Sequence, residues 1–322
     1  MIKRLHLFKR WLNLQLESFC DSNRFFAAVP QYGLPSEHAP THLESDIVRR
    51  YHVIEKGLSM PDFRPKFGVS TVEDLKNLLL GCQDNECLAK QLNQQQLKAA
   101  YSTLDAYRKR HEELGIDLGG LLDGLEFPDC TPGMGGTRRY QPPTPEQGQA
   151  LLNAVSGRAS IRSFHPDRIP SDEDIVKAVE IARTAPSVCN RQTGRIHTYT
   201  GEDATKLLEL QNGNRGFGHR VPMILVVTSD MRHFTGTDER YQAWIDGGLF
   251  GMMLLLGLHA TGLGAVALNW AATNKRDRAL RKRAAIPDHE RIIMLVACGY
   301  PEPDALVPVS LRRETEHFLT RH

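Results

Sequence analysis

Through most of the first 130 positions, apolar residues recur at helical spacing. In the opening MIKRLHLFKRWLNLQLESF, Leu5, Phe8, Leu12 and Leu16 fall three and four apart, which predicts an amphipathic helix. ESDIVRRYHVIEKG (44–57) predicts a second helix, with Ser45 as N-cap and Gly57 as stop. STVEDLKNLLLG (70–81) predicts a third, opened by a Ser70–Glu73 capping box and closed at Gly81. NQQQLKAAYSTLDAYRKRHEEL (93–114) predicts a longer one, with Leu97, Tyr101, Leu104 and then Tyr107 or Arg108 along one side.

The pattern then breaks. FPDCTPGMGGTRRYQPPTPEQ (127–147) is punctuated by proline and glycine and reads as a connection. Beyond it, PEQGQALLNAVSGR (145–158) and SDEDIVKAVEIARTA (171–185) predict helices, the second capped by Ser171 with acidic residues in its first turn. GRIHTYTG, VPMILVVTSD, GLGAVALNW and ERIIMLVACGYPEP read as strands, the last ending in a turn. YQAWIDGGLFGMMLLLGLHATG (241–262) is too long and too apolar for a strand and predicts a buried central helix. Helices and strands mixed around one central helix make an α+β layer. The expected partition is a helical extension at 1–130, a linker at 131–148 and a second unit at 149–322.

Composition changes this picture little. The 322 residues are 41% hydrophobic and 24% charged with net charge +2, so no overall field calls for nucleic acid. Six scattered cysteines form no CxxC pair, and Cys82 and Cys87 lack a second ligand pair, so no metal site is expected. A reducing, cytoplasmic setting fits. No apolar run approaches the roughly 20 residues of a membrane span, and the basic N-terminus has no continuous apolar core of a signal peptide. Lys3, Arg4, Lys9 and Arg10 would suit that first helix to an anionic membrane surface; packing on its own protein is the commoner arrangement.

The candidate chemistry begins at RASIRSFHP (158–166). In an extended segment Arg158, Ser160 and Arg162 leave on one face. Two guanidinium forks and a hydroxyl make either an anion cradle or a solvated edge strand. TAPSVCNRQ (184–192) follows, then the glycine pair in GLGAV (262–266), the closing IPDHERIIMLVACGYPEP, and finally Arg312 and Arg313.

In this order, over about residues 149–322, these elements resemble the FMN-dependent nitroreductase family: its Arg-x-Ser-x-Arg element, its Ala-Pro-Ser-x-x-Asn-x-Gln element, the backbone that nears the flavin, the Gly-Tyr-Pro turn and the returning basic residues. The resemblance implies a nitroreductase-like fold, a central mixed or antiparallel sheet flanked by helices around a long central helix. It also implies bound FMN and a homodimer with the cofactor at the interface. Where relatives have Gln-Pro-Trp, this chain has Gln192-Thr193-Gly194. The family's substrate-covering excursion is missing or is supplied by the N-terminal region. That region's YHVIEKGLSMPDFRPKFG (51–68) resembles an extension on nitroreductase-like proteins associated with polysaccharide biosynthesis; a structural plug completing the core is the plainer reading.

On this resemblance Arg158 and Arg312 or Arg313 would pair with the phosphate, and Ser160 with phosphate or ribityl. Arg162 would face the N1–C2 carbonyl edge, where a fixed cation stabilises arriving negative charge. Asn190 would meet the amide edge of the ring, and Arg162 and Asn190 are the catalytic candidates. Pro186 and Ser187 would reach the flavin of a second subunit, and Gly262, Leu263 and Gly264 would bring backbone close, offering an N–H. Ser187 lacks a nucleophile's context. GLGAVA follows a helix and opens a strand, the reverse of a dinucleotide-binding motif, so NADH or NADPH would visit the flavin transiently in ping-pong turnover. GNRGFG (213–218) reads as a flexible loop, Cys189 as a small thiol, and His165, His219 and His259 as structural. The acceptor would be a nitroarene, a quinone or another metabolite. The alternative is a flavin-binding scaffold that partners a polysaccharide-assembly enzyme through residues 1–130.

Overall fold

The computed structural model describes residues 2–30, 38–128 and 133–322; Cys130 and the first two residues of the expected linker lie outside them. Four strands form one sheet among the described residues: β1 (Gly194–Thr200), β2 (Met223–Asp230), β3 (Gly264–Asn269) and β4 (Glu290–Gly299), in the order β1-β2-β4-β3. Every strand pair is antiparallel, with Val226 of β2 set between His197 and Leu295. All eight residues of β2 are buried, which is why its apolar run does not alternate. Beside the edge strand β3, Ser160 pairs in parallel with Ala265.

The helices are α1 (Ile2–Ala28), α2 (Ala39–Leu58), α3 (Val69–Asp84), the short α4 (Glu86–Ala89), α5 (Gln94–Glu113), α6 (Pro145–Gly157), α7 (Asp172–Ala182), α8 (Gly201–Leu208), α9 (Gln242–Ala260) and α10 (Asn274–Ala284). With 19 residues and mean hydropathy 1.4, α9 is long and apolar enough to cross a membrane, contrary to the expectation that no run approaches that length. It lies instead against α7 and strands β2, β3 and β4. One face of the sheet packs with Ile175, Leu254 and Leu258; the other carries Phe164, Leu207, Leu268 and Leu280. In the 213–218 loop the Asn214 amide donates to Leu208 O (2.8 Å) and Gln211 O (2.6 Å), and Phe217 is buried.

The extension has its own core, built from Ile47, Ile54, Leu75, Leu79, Leu104 and Tyr107. Its helix ends differ from those expected. Ser45 lies inside α2, where its hydroxyl donates to His233 O at 2.7 Å, so it caps nothing. Gly68, in the left-handed region, precedes α3 without a side-chain cap, and the helix runs past Gly81 to Asp84, so the Ser70–Glu73 box is not formed. Gly57 does not stop α2: a Cβ there would lie 1.9 Å from the Phe67 ring. That ring is itself held edge-on by Phe63 (5.8 Å) and Tyr107 (5.1 Å), while the Tyr107 hydroxyl donates to Phe67 O (2.9 Å). Within 51–68, Tyr51 and Ile54 are core and Leu58 and Phe67 pack against it, while residues 59–62 and 64–66 are exposed. Gly57→Ala is expected to destabilise the protein by about 1–3 kcal/mol through overpacking, read from a denaturant melt; an unchanged midpoint would contradict this packing.

Only the C-terminal end of α1 packs on its own protein, through Phe25, Ala28 and Val29 against Met231, Phe234 and Ala243. The helix is otherwise docked by polar groups: Asn274 N donates to Glu17 (2.7 Å), Arg291 pairs with Asp21 (2.5 Å) and Arg24 with Asp277 (3.1 Å). Leu7, Phe8, Trp11, Leu14 and Phe19 stand exposed, so the expected packing of this helix on its own protein holds only for its C-terminal part.

Candidate functional site

Two clusters of the expected residues form, on different sides of α9. The first is the strand-like segment after α6. Arg158 terminates α6, its N–H donating to Ala154 O (3.2 Å). Ile161 N donates to Ala265 O (3.1 Å), and its side chain turns inward onto β3, where a Cβ on Gly264 would lie 2.8 Å away. Ser160 and Arg162 therefore leave on the other face. Arg162 reaches Ser160 O (3.3 Å) and lies 6.0 Å from the Phe217 ring centre. Among the described residues neither Arg158 nor Arg162 has a carboxylate partner. Arg158 and Leu263 line one small cavity of about 60 Å³ with Leu255 and His259 of α9.

The glycine pair behaves differently from expectation. Gly262, at φ +78°, ends α9, and its N–H donates to His259 O (3.1 Å); Leu263 N donates to Leu258 O (2.9 Å). Neither N–H is left for a ligand. Gly264 is required by the Ile161 contact.

The second cluster is the turn 187–192. Cys189, Asn190 and Gln192 all have positive φ (48°, 55° and 51°), an uncommon and strained state for residues with a Cβ. The surroundings impose it. Ser187 O accepts from Asn190 N (3.0 Å), and Ser187 Oγ accepts from Gln192 N (2.9 Å), so this serine ties the turn. The buried Asp246 of α9 accepts from Val188 N through both oxygens (3.3 and 3.2 Å) and from the Gln242 amide (2.7 Å). Burial pushes the Asp246 carboxyl up, and these bonds only partly offset it. Arg191 points inward, donating to Val188 O (3.2 Å), His233 O (2.7 Å) and Glu239. Asn190 itself is exposed. Pro186, Ser187 and Gln192 border a cavity of about 420 Å³, whose opposite wall is the extension: Glu44, Val48, Asn93 and Gln96.

Phe250 and Asp246 flank this second cluster; His259 and Leu255 flank the first. The nearest of these, Phe250 and Leu255, are five residues apart, about 7.5 Å along the helix and about 140° apart in rotation. A single chain therefore keeps Arg158, Ser160 and Arg162 apart from Pro186, Ser187 and Asn190. Arg312 and Arg313 join neither cluster. They lie on an exposed tail, bonding Ser310 O (2.9 Å) and His317 (2.9 Å).

Comparison with known proteins shows the family. The Nitroreductase family model matches residues 155–213 and 202–300. A protein of Archaeoglobus fulgidus with the provisional name NADH dehydrogenase/NAD(P)H nitroreductase is 30% identical over 160 residues, which cover 48% of this chain and 88% of that protein. The chain belongs to the nitroreductase family. A similarly named protein of Methanothermobacter thermautotrophicus is 22% identical over 152 residues, covering 47% and 77% of the two chains. The crystal structure of a provisionally assigned nitroreductase from Desulfovibrio desulfuricans, in complex with FMN, is 24% identical and covers 53% of this chain and 96% of its own, with a TM-score of 0.46. This nitroreductase is by family a flavin oxidoreductase, and the family model leaves the residues before 155 unmatched.

The charges behind the turn were not foreseen from sequence. Asp230 is fully buried and receives two bonds from Arg232 (3.0 and 2.7 Å). Burial alone would raise its pKa, yet Arg232 and its neighbours hold it near about 2. His233 Nε2 accepts from Arg195 (3.2 Å), which leaves the proton on Nδ1, a buried atom without a partner. Burial, together with the nearby arginines, pushes the His233 imidazole down to about 4. The unfolded chain then binds this proton first, so the histidine's contribution is complete above pH ~6.5 and is lost as pH falls towards 4. That loss amounts to about 3 kcal/mol. Unfolding by urea at pH 7 and pH 4.5 is expected to show most of it, and His233→Asn to flatten the profile; equal slopes in the two proteins would contradict the assignment.

Arg191 was visible in the TAPSVCNRQ stretch as a residue but not as a buried anchor. Tyr51, Gln96, His233 and Asp246 carry no local signal at all, because their relation to the turn exists only in the folded chain.

Proposed function

We propose that this chain is an FMN-dependent oxidoreductase that works as a homodimer, taking electrons from NADH or NADPH and giving them to a nitroaromatic compound, a quinone or another small metabolite in alternating half-reactions. The observation that carries the reading is that two guanidinium groups of the 158–162 segment, Arg158 and Arg162, have no carboxylate partner among the described residues. Two cations, a hydroxyl and an exposed carboxamide are a donor set that fits a phosphate and a ring edge rich in carbonyl and imide groups. Bound FMN supplies two-electron redox chemistry.

The chain's own residues would then divide the work. Arg158 and Ser160 would hold the phosphate. Arg162 would stabilise negative charge at the N1–C2 carbonyl edge. Asn190 and Ser187, on the strained turn, would orient the ring from a second chain, since one chain keeps the two clusters apart. Dimerisation is also supported by apolar groups without cover: Leu151, Leu152 and Val155 on α6, Trp244, Ile245 and Met252 on α9, and Leu306 and Leu311 on the tail that carries Arg312 and Arg313. Pairing of that tail with a second chain would return its arginines to a phosphate.

Purified protein is expected to be yellow and to bleach on adding NADH or NADPH without oxygen. Persistent colour with both nucleotides would identify a flavin-binding scaffold instead.

A further inference from the structure

We propose that the N-terminal part of α1 docks on an anionic lipid bilayer, lying in the interface with its apolar side down. The way α1 is attached to the protein carries this inference. At about 100° per residue, Glu17, Asp21 and Arg24 fall within about 60° of its circumference. This polar side is the docked one: Glu17 accepts from Asn274 N (2.7 Å), Asp21 pairs with Arg291 (2.5 Å) and Arg24 with Asp277 (3.1 Å). Phe8, Trp11, Leu12, Leu16 and Phe19 fall within about 140° on the opposite side. Each of these five is between 42% and 63% exposed, and the Phe8 and Trp11 rings lie 5.9 Å apart in one aromatic patch. The helix is thus attached by its polar side with its apolar side outward, the reverse of a helix that belongs to a core. From His6 to Leu16 every residue is exposed. A helical segment that short is marginal in water without a surface to pack on.

Charge decides what that surface is. The first 16 residues hold four cations, Lys3, Arg4, Lys9 and Arg10, and no acid. The acids of α1 are Glu17 and Asp21, and both are engaged on the docked side. Pairing with α1 of a second copy would set cations against cations with no carboxylate to answer them. An anionic bilayer answers both features. Its headgroups attract the basic side chains, each worth about fivefold in affinity near the surface. Its interfacial zone takes leucine and phenylalanine side chains, with the indole at headgroup level. By helical rotation Lys9 borders the apolar arc, where its stem can lie along the apolar zone and its ammonium reach the headgroups.

The test is cosedimentation of the full-length protein with vesicles of phosphatidylglycerol and phosphatidylcholine in equal parts, against vesicles of phosphatidylcholine alone, with tryptophan emission recorded alongside. Wild type is expected to pellet with the anionic vesicles, to shift its emission to the blue, and to bind the neutral vesicles at least about tenfold more weakly. Trp11→Phe is expected to keep the binding and lose the shift. Phe8→Ser with Trp11→Ser is expected to weaken binding about 100-fold through lost apolar burial. Lys9→Glu with Arg10→Glu is expected to weaken it about 25-fold or more, and keeps the test open if the first double variant folds poorly. Both double variants should keep the wild-type urea midpoint, because the substituted side chains are exposed. Absence of the wild-type protein from the anionic pellet would overturn the proposal. So would undiminished binding in both double variants, which would put the contact elsewhere on the protein. Self-association abolished by Phe8→Ser with Trp11→Ser, without vesicle binding, would assign the face to a second copy and overturn it as well.

Discussion

Arg158→Ala is expected to lose FMN about 10- to 100-fold while folding normally. The magnitude is that of a charge-assisted, two-pronged contact to a phosphate removed from a site that keeps Arg162. The fold should be indifferent to the change, because Arg158 has no ion-pair partner among the described residues and only its backbone N–H takes part in ending α6. Arg158→Lys separates charge from geometry: it keeps the cation and loses the fork, so an intermediate affinity is expected. Fluorescence titration of the three apoproteins in low and high salt checks both points, since the wild-type advantage should shrink as salt screens it. Equal flavin occupancy in Arg158→Ala and wild type would remove this residue from the phosphate.

Arg191→Leu is expected to be the most damaging single change to stability, at about 3–5 kcal/mol. Its side chain is fully buried and serves two backbone carbonyls, Val188 O and His233 O, together with Glu239, while its guanidinium lies 5.5 Å from the Phe234 ring centre. Burial alone would raise the Glu239 carboxyl, yet Arg191 holds it below the usual range. Leucine fills much of the volume but leaves Glu239 half-buried without its cation and each carbonyl with one donor fewer, Val188 O keeping the residue-191 N–H and His233 O keeping Ser45 Oγ, the circumstance in which a broken buried pair is costly. The same side chain sits inside the strained turn, so flavin affinity should fall with stability. A urea melt followed by tryptophan fluorescence measures the first effect. A midpoint within experimental error of wild type would show that the turn holds its shape without this anchor.

The parts of the molecule legible in its sequence are those settled by local pattern. β2 and β4 are continuous apolar runs, and α9 is an apolar run too long for a strand. Ser171 is the cap expected of it, with its Oγ accepting from Asp174 N. What was not legible depends on distant partners. Ser45 has the chemistry of a cap, but its hydroxyl goes to a carbonyl 188 positions away. Gly57 has the chemistry of a stop, but it is there to admit Phe67. The capping-box pattern at Ser70 and Glu73 yields to Gly68, whose left-handed backbone turns the chain into α3 two residues earlier.

The candidate site divides the same way. Alternation in RASIRSFHP correctly turns Ile161 inward, because β3 offers a flat surface with a glycine beneath it. The glycines of GLGAV are absorbed by a helix end and by that contact. TAPSVCNRQ displays the residue types of the turn but not its three left-handed backbones, which are imposed by Asp246, Arg191 and α2. Why the extension is attached to this fold could not be read from composition or spacing. The packing of α2 on residues 188–190 and the His233 carbonyl shared by Ser45 and Arg191 supply a physical reason, in that they join the extension to the turn.

The most direct measurement is a crystal structure of the protein grown with FMN. The account predicts a dimer with the phosphate against Arg158 and the ring edge against Asn190 of the facing chain. Flavin seated away from both clusters, with the Arg158 and Arg162 guanidinium groups in solvent, would contradict it.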